Sequence, residues 1–333
     1  MLNFHKEEKT IIEILFNDQV PSKVNFQNFN FDKFVKICSS HLLLPLIYSK
    51  LKEKKLLKSI PLNLKTYLNE IYNINYERNK NLIKEVLVII DLLDKNKIDY
   101  VLLKGSAHVL TNVYNNIGDR MIGDIDILVD KKKGAETVLL LKNLGYYNLT
   151  DDIFFDFRHL NRLINKKKIF AVEIHTRLFD KHKNIIDIND IEKINNVTVF
   201  KRKTSADYNI YNDQINDFGY LKNNYSYRSI YDFLILSEKK YPQRKNKIKL
   251  DKFKKRYFTI GKELGIRFFR NYNFETDYFS SIRFRISKKI KIYKKMERLI
   301  INIVQIIVNL PKKITKLQDK KYRIYLFKKI KSQ

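Results

Sequence analysis

Through most of the first 97 positions, apolar residues recur at three- and four-residue spacing, which predicts helices. The stretch FDKFVKICSSHLLLPLIYSKLKE (31–53) carries this pattern, and Pro45 inside it predicts a kink. A second long helical pattern runs from about Leu62 to Lys95, with Pro61 near its first turn. The period then changes. Tyr100-Val101-Leu102-Leu103 is a short apolar run ahead of Gly105 and reads as a buried strand, and Ser106–Tyr114 predicts a helix. Asp124–Val129 alternates charge and aliphatic residue, the period of a strand. Ala135–Leu144 predicts a helix closed by Gly145. Strand-like pieces follow near Ile153–Phe157, Leu160–Ile164, Ile169–Thr176 and Val197–Phe200. From about Asn212 the pattern is helical again, including Ser226–Lys239 and Asp251–Leu264, and a basic amphipathic segment follows Pro311.

This order predicts an α+β fold with a small mixed β-sheet core at 99–205. An N-terminal helical region (1–98), a second helical region (206–280) and a basic amphipathic helical tail (281–333) flank it.

Composition narrows the class. With 44% apolar and 13% aromatic residues, 333 residues can bury a sizeable core, and nothing in these fractions suggests disorder. A single cysteine, Cys38, excludes an internal disulfide framework and a cysteine-rich zinc site. The opening MLNFHKEEKTIIEILF places charges where a signal peptide needs apolar residues, and the longest mostly apolar run, Leu299–Leu310, falls short of the roughly 20 residues that span a bilayer. The expectation is a cytoplasmic protein, at most peripheral at the inner face of the membrane. The net charge of +30 is unevenly spread: residues 281–333 hold 17 Lys+Arg against 2 acids, half of the total excess. Such a tail attracts polyanions, nucleic acid or anionic membrane among them, although a solvated basic surface accounts for it equally.

The unusual chemistry concentrates in LLKGSAHVLTNVYNNIGDRMIGDIDILVD (102–130), which contains Gly105, Gly118 and Gly123 out of eight glycines in the chain. A strand followed by Gly105-Ser106 and a helix offers unpaired amides and a hydroxyl to an anion, or else Ser106 caps its own helix. On a strand, Asp124 and Asp126 share one face while Ile125, Ile127 and Val129 share the other. Adjacent carboxylates repel unless a cation lies between them, and Mg²⁺ takes such hard oxygen ligands. The apolar strand IFAVEIHT carries Glu173 and His175 on one face; if it lies beside the Asp124 strand, a three-acid cluster results. Two metals about 3.5–4 Å apart could then clamp an in-line displacement.

The order LLKGS…GDIDILV…VEIH resembles the nucleotidyltransferases of the DNA polymerase β superfamily. More narrowly, it is similar to a bacterial family known only as uncharacterised nucleotidyltransferases. Lys104, Gly105, Arg120, Gly123, Asp124, Asp126, Glu173 and His175 match that family's pattern, and His159 resembles a histidine upstream of its third acid. The Ser106-to-Asp124 spacing of 18 is longer than usual in the wider superfamily, and the loop Asn115–Met121 absorbs the difference. The resemblance implies transfer of a nucleoside monophosphate from an NTP, ATP among them, to a hydroxyl or amine acceptor: a small molecule, sugar or protein, with surface-polysaccharide metabolism as one setting. It implies Mg²⁺, two ions, at Asp124, Asp126 and Glu173, and phosphate contacts from Gly105, Ser106, Lys104 and Arg120. His159, His175 and Arg177 stand behind these, His175 as a group that orients Glu173. Two alternatives stay open: a non-catalytic nucleotide-binding regulatory protein, and an RNA-directed enzyme whose tail aromatics Tyr322, Tyr325 and Phe327 stack bases.

Overall fold

The computed structural model describes residues 4–17, 26, 28–148, 158–182, 184–237, 250–317 and 323–324. Helices α1 (Lys6–Phe16), α2 (Phe31–Ser40), α3 (Leu44–Glu53) and α4 (Leu62–Lys95) precede the sheet. Pro45 does not kink a continuous helix. The chain breaks before it, with Leu42 in a left-handed φ of 56°, and Pro45 lies in the first turn of α3, where its missing N–H costs no hydrogen bond. The core then runs β1 (Tyr100–Leu103), α5 (Lys104–Leu110), β2 (Asp124–Val129), α6 (Gly134–Asn143), β3 (Tyr147–Asn148), β4 (Leu163–Ile164), β5 (Ala171–His175), β6 (Ile191–Ile194) and β7 (Val197–Phe200). Gly145 closes α6 at a φ of 86°. The Ile153–Phe157 segment lies outside the described residues, as do Tyr322, Tyr325 and Phe327.

Among the described residues the strands form one mixed sheet in the order β3-β4-β5-β2-β1-β7-β6. Strand β2 is central: antiparallel to β1, with Leu103 opposite Asp126, and parallel to β5, with Asp126 opposite Glu173. The period-two alternation divides each strand between two cores. Ile125, Ile127 and Val129 of β2 join Val172 and Ile174 of β5 and Leu82, Val86 and Ile89 of α4 on one face. On the other face Val101, Leu103 and Leu128 pack with Phe200, Tyr208 and Tyr211. The acidic side chains therefore emerge on the second face, toward the C-terminal helices.

Those helices are α7 (Arg202–Tyr211), followed by a π-helical turn at Asn212–Asn216, α8 (Gly219–Lys222), α9 (Tyr227–Leu236), α10 (Lys252–Glu263), α11 (Arg267–Arg270), α12 (Tyr278–Lys289) and α13 (Lys291–Leu317). A third core unites the two ends of the chain. Ile11, Phe34, Cys38, Ile47 and Leu68 pack in the same cluster as Tyr227, Phe233, Phe258, Phe269 and Phe284.

Candidate active site

The register of β2 with its neighbours assembles the site. Asp126, nearly buried at 6% exposure, lies beside Glu173 on β5 and beside the end of β1, where the chain turns through Lys104 at a left-handed φ of 52°. Lys104 Nζ donates to Asp126 Oδ1 at 2.7 Å, and His175 Nε2 lies 2.8 Å from the same oxygen. Burial by itself would push the Asp126 carboxyl up, but the Lys104 ammonium and the His175 hydrogen bond hold it well below the usual carboxylate range. Lys104 is raised in turn: burial opposes its charge and Asp126 more than offsets this.

The partners of His175 settle its tautomer. Arg158 Nη1 approaches His175 Nδ1 at 3.4 Å, and a guanidinium can only donate, so Nδ1 accepts and Nε2–H donates to Asp126. Burial lowers the imidazole pKa despite Asp126, in keeping with a neutral ring. His175 thus orients Asp126 and not Glu173, which is 3.8 Å from Nε2. Asp126, Glu173 and His175 offer ligand atoms within 4.8 Å of one another. With Nε2–H already donating, two hard carboxylates are left to hold a cation. Both Asp126 hydrogen bonds fall on Oδ1, which leaves Oδ2 available.

The other residues singled out in the sequence are placed differently. Asp124, at the mouth of β2, pairs with Arg162, and burial with the nearby Glu173 and Asp126 charges raises its pKa in spite of that arginine. Ser106 is fully buried, and its hydroxyl donates to the Leu103 carbonyl at 3.0 Å. Arg120 forms a buried two-point pair with Asp232 of α9, Nη2 to Oδ2 at 2.7 Å and Nε to Oδ1 at 3.1 Å. Its guanidinium lies against Gly105, where a Cβ would overlap Nη1. His159 Nδ1 contacts the Leu160 carbonyl at 3.0 Å while its backbone bridges to His175, and Arg177 donates to Asp180 at 3.1 Å.

Several residues carry weight here that sequence reasoning passed over. Asn75 and Asn79, one turn apart on α4 and buried, hold the loop before Arg120. Their amides donate to Gly118 O at 2.7 Å and to Arg120 O at 2.9 Å, respectively. Two asparagines at i, i+4 on an otherwise apolar helix face were the available signal. A cavity of about 70 Å³ lies between the sheet and the C-terminal helices, lined by Lys104 and Arg120 on one side and by Asn209, Asp213, Arg228 and Asp232 on the other. Arg228, in the first turn of α9, makes no hydrogen bond or ion pair among the described residues. Burial and the adjacent Arg120 charge depress its pKa against the pull of Asp232 and Asp217.

Asp126 and Glu173 thus lie side by side on adjacent parallel strands of a mixed sheet, with Lys104, which also lines the neighbouring cavity, bonded to the first. Residues 27–208, more than half of the chain, match the family described as "Uncharacterised nucleotidyltransferase", and the protein belongs to that family and is a nucleotidyltransferase. Two solved structures are similar over about half of the chain. One is a solution structure of the antibiotic-resistance factor ANT(2'')-Ia, with 11% identity and a TM-score of 0.35, covering 48% of this chain and 84% of that one. The second is a crystal structure of ANT(2'')-Ia in complex with adenylyl-2''-tobramycin, with 12% identity and a TM-score of 0.35, covering 47% and 87%. No curated protein matches the chain.

Proposed function

We propose that this protein moves a nucleoside monophosphate from an NTP to a hydroxyl or amine of a small acceptor, with Mg²⁺ as the cofactor. Glu173 carries this reading: a half-buried carboxylate in register with Asp126 on the next strand, with no hydrogen bond of its own among the described residues. Lys104 offsets the charge of Asp126, and the oxygens left over, Asp126 Oδ2 and the Glu173 carboxylate, are of the kind that Mg²⁺ prefers. Asp126 Oδ2 and Glu173 would hold the ion, and Asp124 would join them once Arg162 releases it. Mg²⁺ bound there supplies charge neutralisation at the transferring phosphoryl group.

The chain's own groups do the rest. Lys104 and Arg228 both line the cavity and would donate to phosphate oxygens, and Lys104, bonded to Asp126, ties that phosphate to the acids. His175 holds Asp126 in one rotamer, so the carboxylate is pre-set when the nucleotide arrives. Glu173 takes the acceptor's proton as the new oxygen–phosphorus (or nitrogen–phosphorus) bond forms and the bond to pyrophosphate breaks. The family resemblance adds a sugar or glycolipid as the acceptor class. Calorimetric titration of each NTP with and without Mg²⁺, followed by a pyrophosphate-release assay over a panel of sugar acceptors, tests the reading. Tight binding only with Mg²⁺, abolished by Asp126→Asn, is the expected result. Binding indifferent both to Mg²⁺ and to that substitution overturns it.

A further inference from the structure

An apolar stripe runs along α13. Ile292, Met296, Leu299, Ile303, Ile306 and Leu310 follow one another at alternating four- and three-residue steps, and each is 47–69% exposed. Ile300 and Ile307 widen the stripe and are as exposed, at 56% and 61%. The helix is held to the body by its polar edge: Glu297 pairs with Arg283 of α12, and Arg298 Nη2 donates to Asn224 Oδ1 at 2.8 Å. Next to it, α12 exposes two further rings, Tyr278 at 72% and Phe279 at 82%. So much aliphatic surface on one helix is more than isolated surface residues explain.

The charges around the stripe select its occupant. No charged residue falls between 299 and 311, whereas Lys294, Lys295 and Arg298 precede this stretch in sequence and Lys312, Lys313 and Lys316 follow it. A second copy of the chain laid stripe to stripe would bring together two segments that each hold 17 basic and 2 acidic residues over 281–333, and they would repel. Nucleic acid would use the lysines but not the isoleucines. An anionic bilayer surface uses both, with aliphatic side chains among the acyl ends of the headgroup region and ammonium groups at the lipid phosphates. Among the described residues no helix is long and apolar enough to cross a membrane, so α13 would lie in the interface.

We propose that α13 docks the protein on an anionic lipid surface through this stripe. The inference is independent of the transfer chemistry proposed above. Its test is co-sedimentation of the full chain with phosphatidylcholine vesicles and with mixed phosphatidylcholine–phosphatidylglycerol vesicles. Partition onto the mixed vesicles should exceed that onto phosphatidylcholine by at least about tenfold and fall as salt is raised. The double substitution Ile303→Asp, Ile307→Asp, at exposed positions that carry no core packing, should abolish the partition while leaving the circular-dichroism melting curve unchanged. The proposal fails if that variant partitions as the wild type does. It fails equally if neither vesicle binds the protein, whether sedimentation equilibrium then shows a dimer that the variant dissociates or RNA retains both forms equally.

Discussion

Gly105→Ala is a one-carbon change at a glycine in the middle of the nucleotidyltransferase signature, and the structure predicts a cost set by a residue far along the chain. A Cβ at 105 would lie 3.0 Å from both Arg120 Cζ and Ile122 Cγ1 and would overlap Arg120 Nη1 outright. The end of an arginine usually swings away at little cost. Here it is pinned by hydrogen bonds of 2.7 and 3.1 Å to Asp232 and one of 3.3 Å to the Met121 carbonyl, in a place where both partners of the pair are buried. Displacing the guanidinium leaves Asp232 with Tyr114, a distant His108 and the charge of Arg228, with which it forms no direct bond, so the loss approaches that of breaking a buried ion pair, about 3–5 kcal/mol. Replacing glycine by alanine in a helix returns only about 0.5–1 kcal/mol. Urea unfolding followed by circular dichroism should therefore show Gly105→Ala destabilised by about 3 kcal/mol. In an Arg120→Ala background only the 3.0 Å approach to Ile122 Cγ1 remains, and the same substitution should cost at least about 2 kcal/mol less. Equal cost in both backgrounds would refute the account.

Three further outcomes follow from the same geometry. Glu173→Gln should lower nucleotidyl transfer by about a thousandfold or more, several kcal/mol at about 1.4 kcal/mol per tenfold, while leaving the urea midpoint unchanged or higher, because Glu173 makes no hydrogen bond among the described residues. Arg228→Ala should raise the NTP dissociation constant by about 10–100-fold, the value of a charge-assisted hydrogen bond, without loss of stability, since it relieves repulsion with Arg120. Burial and the neighbouring Asp217 push the Asp213 carboxyl up to about 7 from 3.8, so the folded state holds a proton that the unfolded state has released across that window. Its stabilising contribution is present below pH 3.8 and lost as pH rises through 7, of the order of 3 kcal/mol between pH 5 and 8. Asp213→Asn should flatten that part of the pH–stability curve, and an unchanged slope in the variant would show that another group is responsible.

Much of the core was legible in the residue pattern because strand alternation is a local property. GDIDILV fixes Asp124 and Asp126 on one face and Ile125, Ile127 and Val129 on the other wherever the strand is placed, and the latter three do lie in the core against α4. The 34-residue helix from Leu62 to Lys95 was readable for the same reason, through its three- and four-residue spacing. What local pattern cannot contain is the identity of a neighbour. That β5 pairs parallel to β2 so that Glu173 meets Asp126, that Arg120 finds Asp232 across 112 residues, and that Ser106 turns its hydroxyl to Leu103 all follow from how the sheet and the C-terminal helices close on each other. The residues themselves determine which groups are charged and which way they alternate; the tertiary structure decided which charges meet, because pairing energies inside a protein depend on distance and burial, and neither exists until the chain has folded.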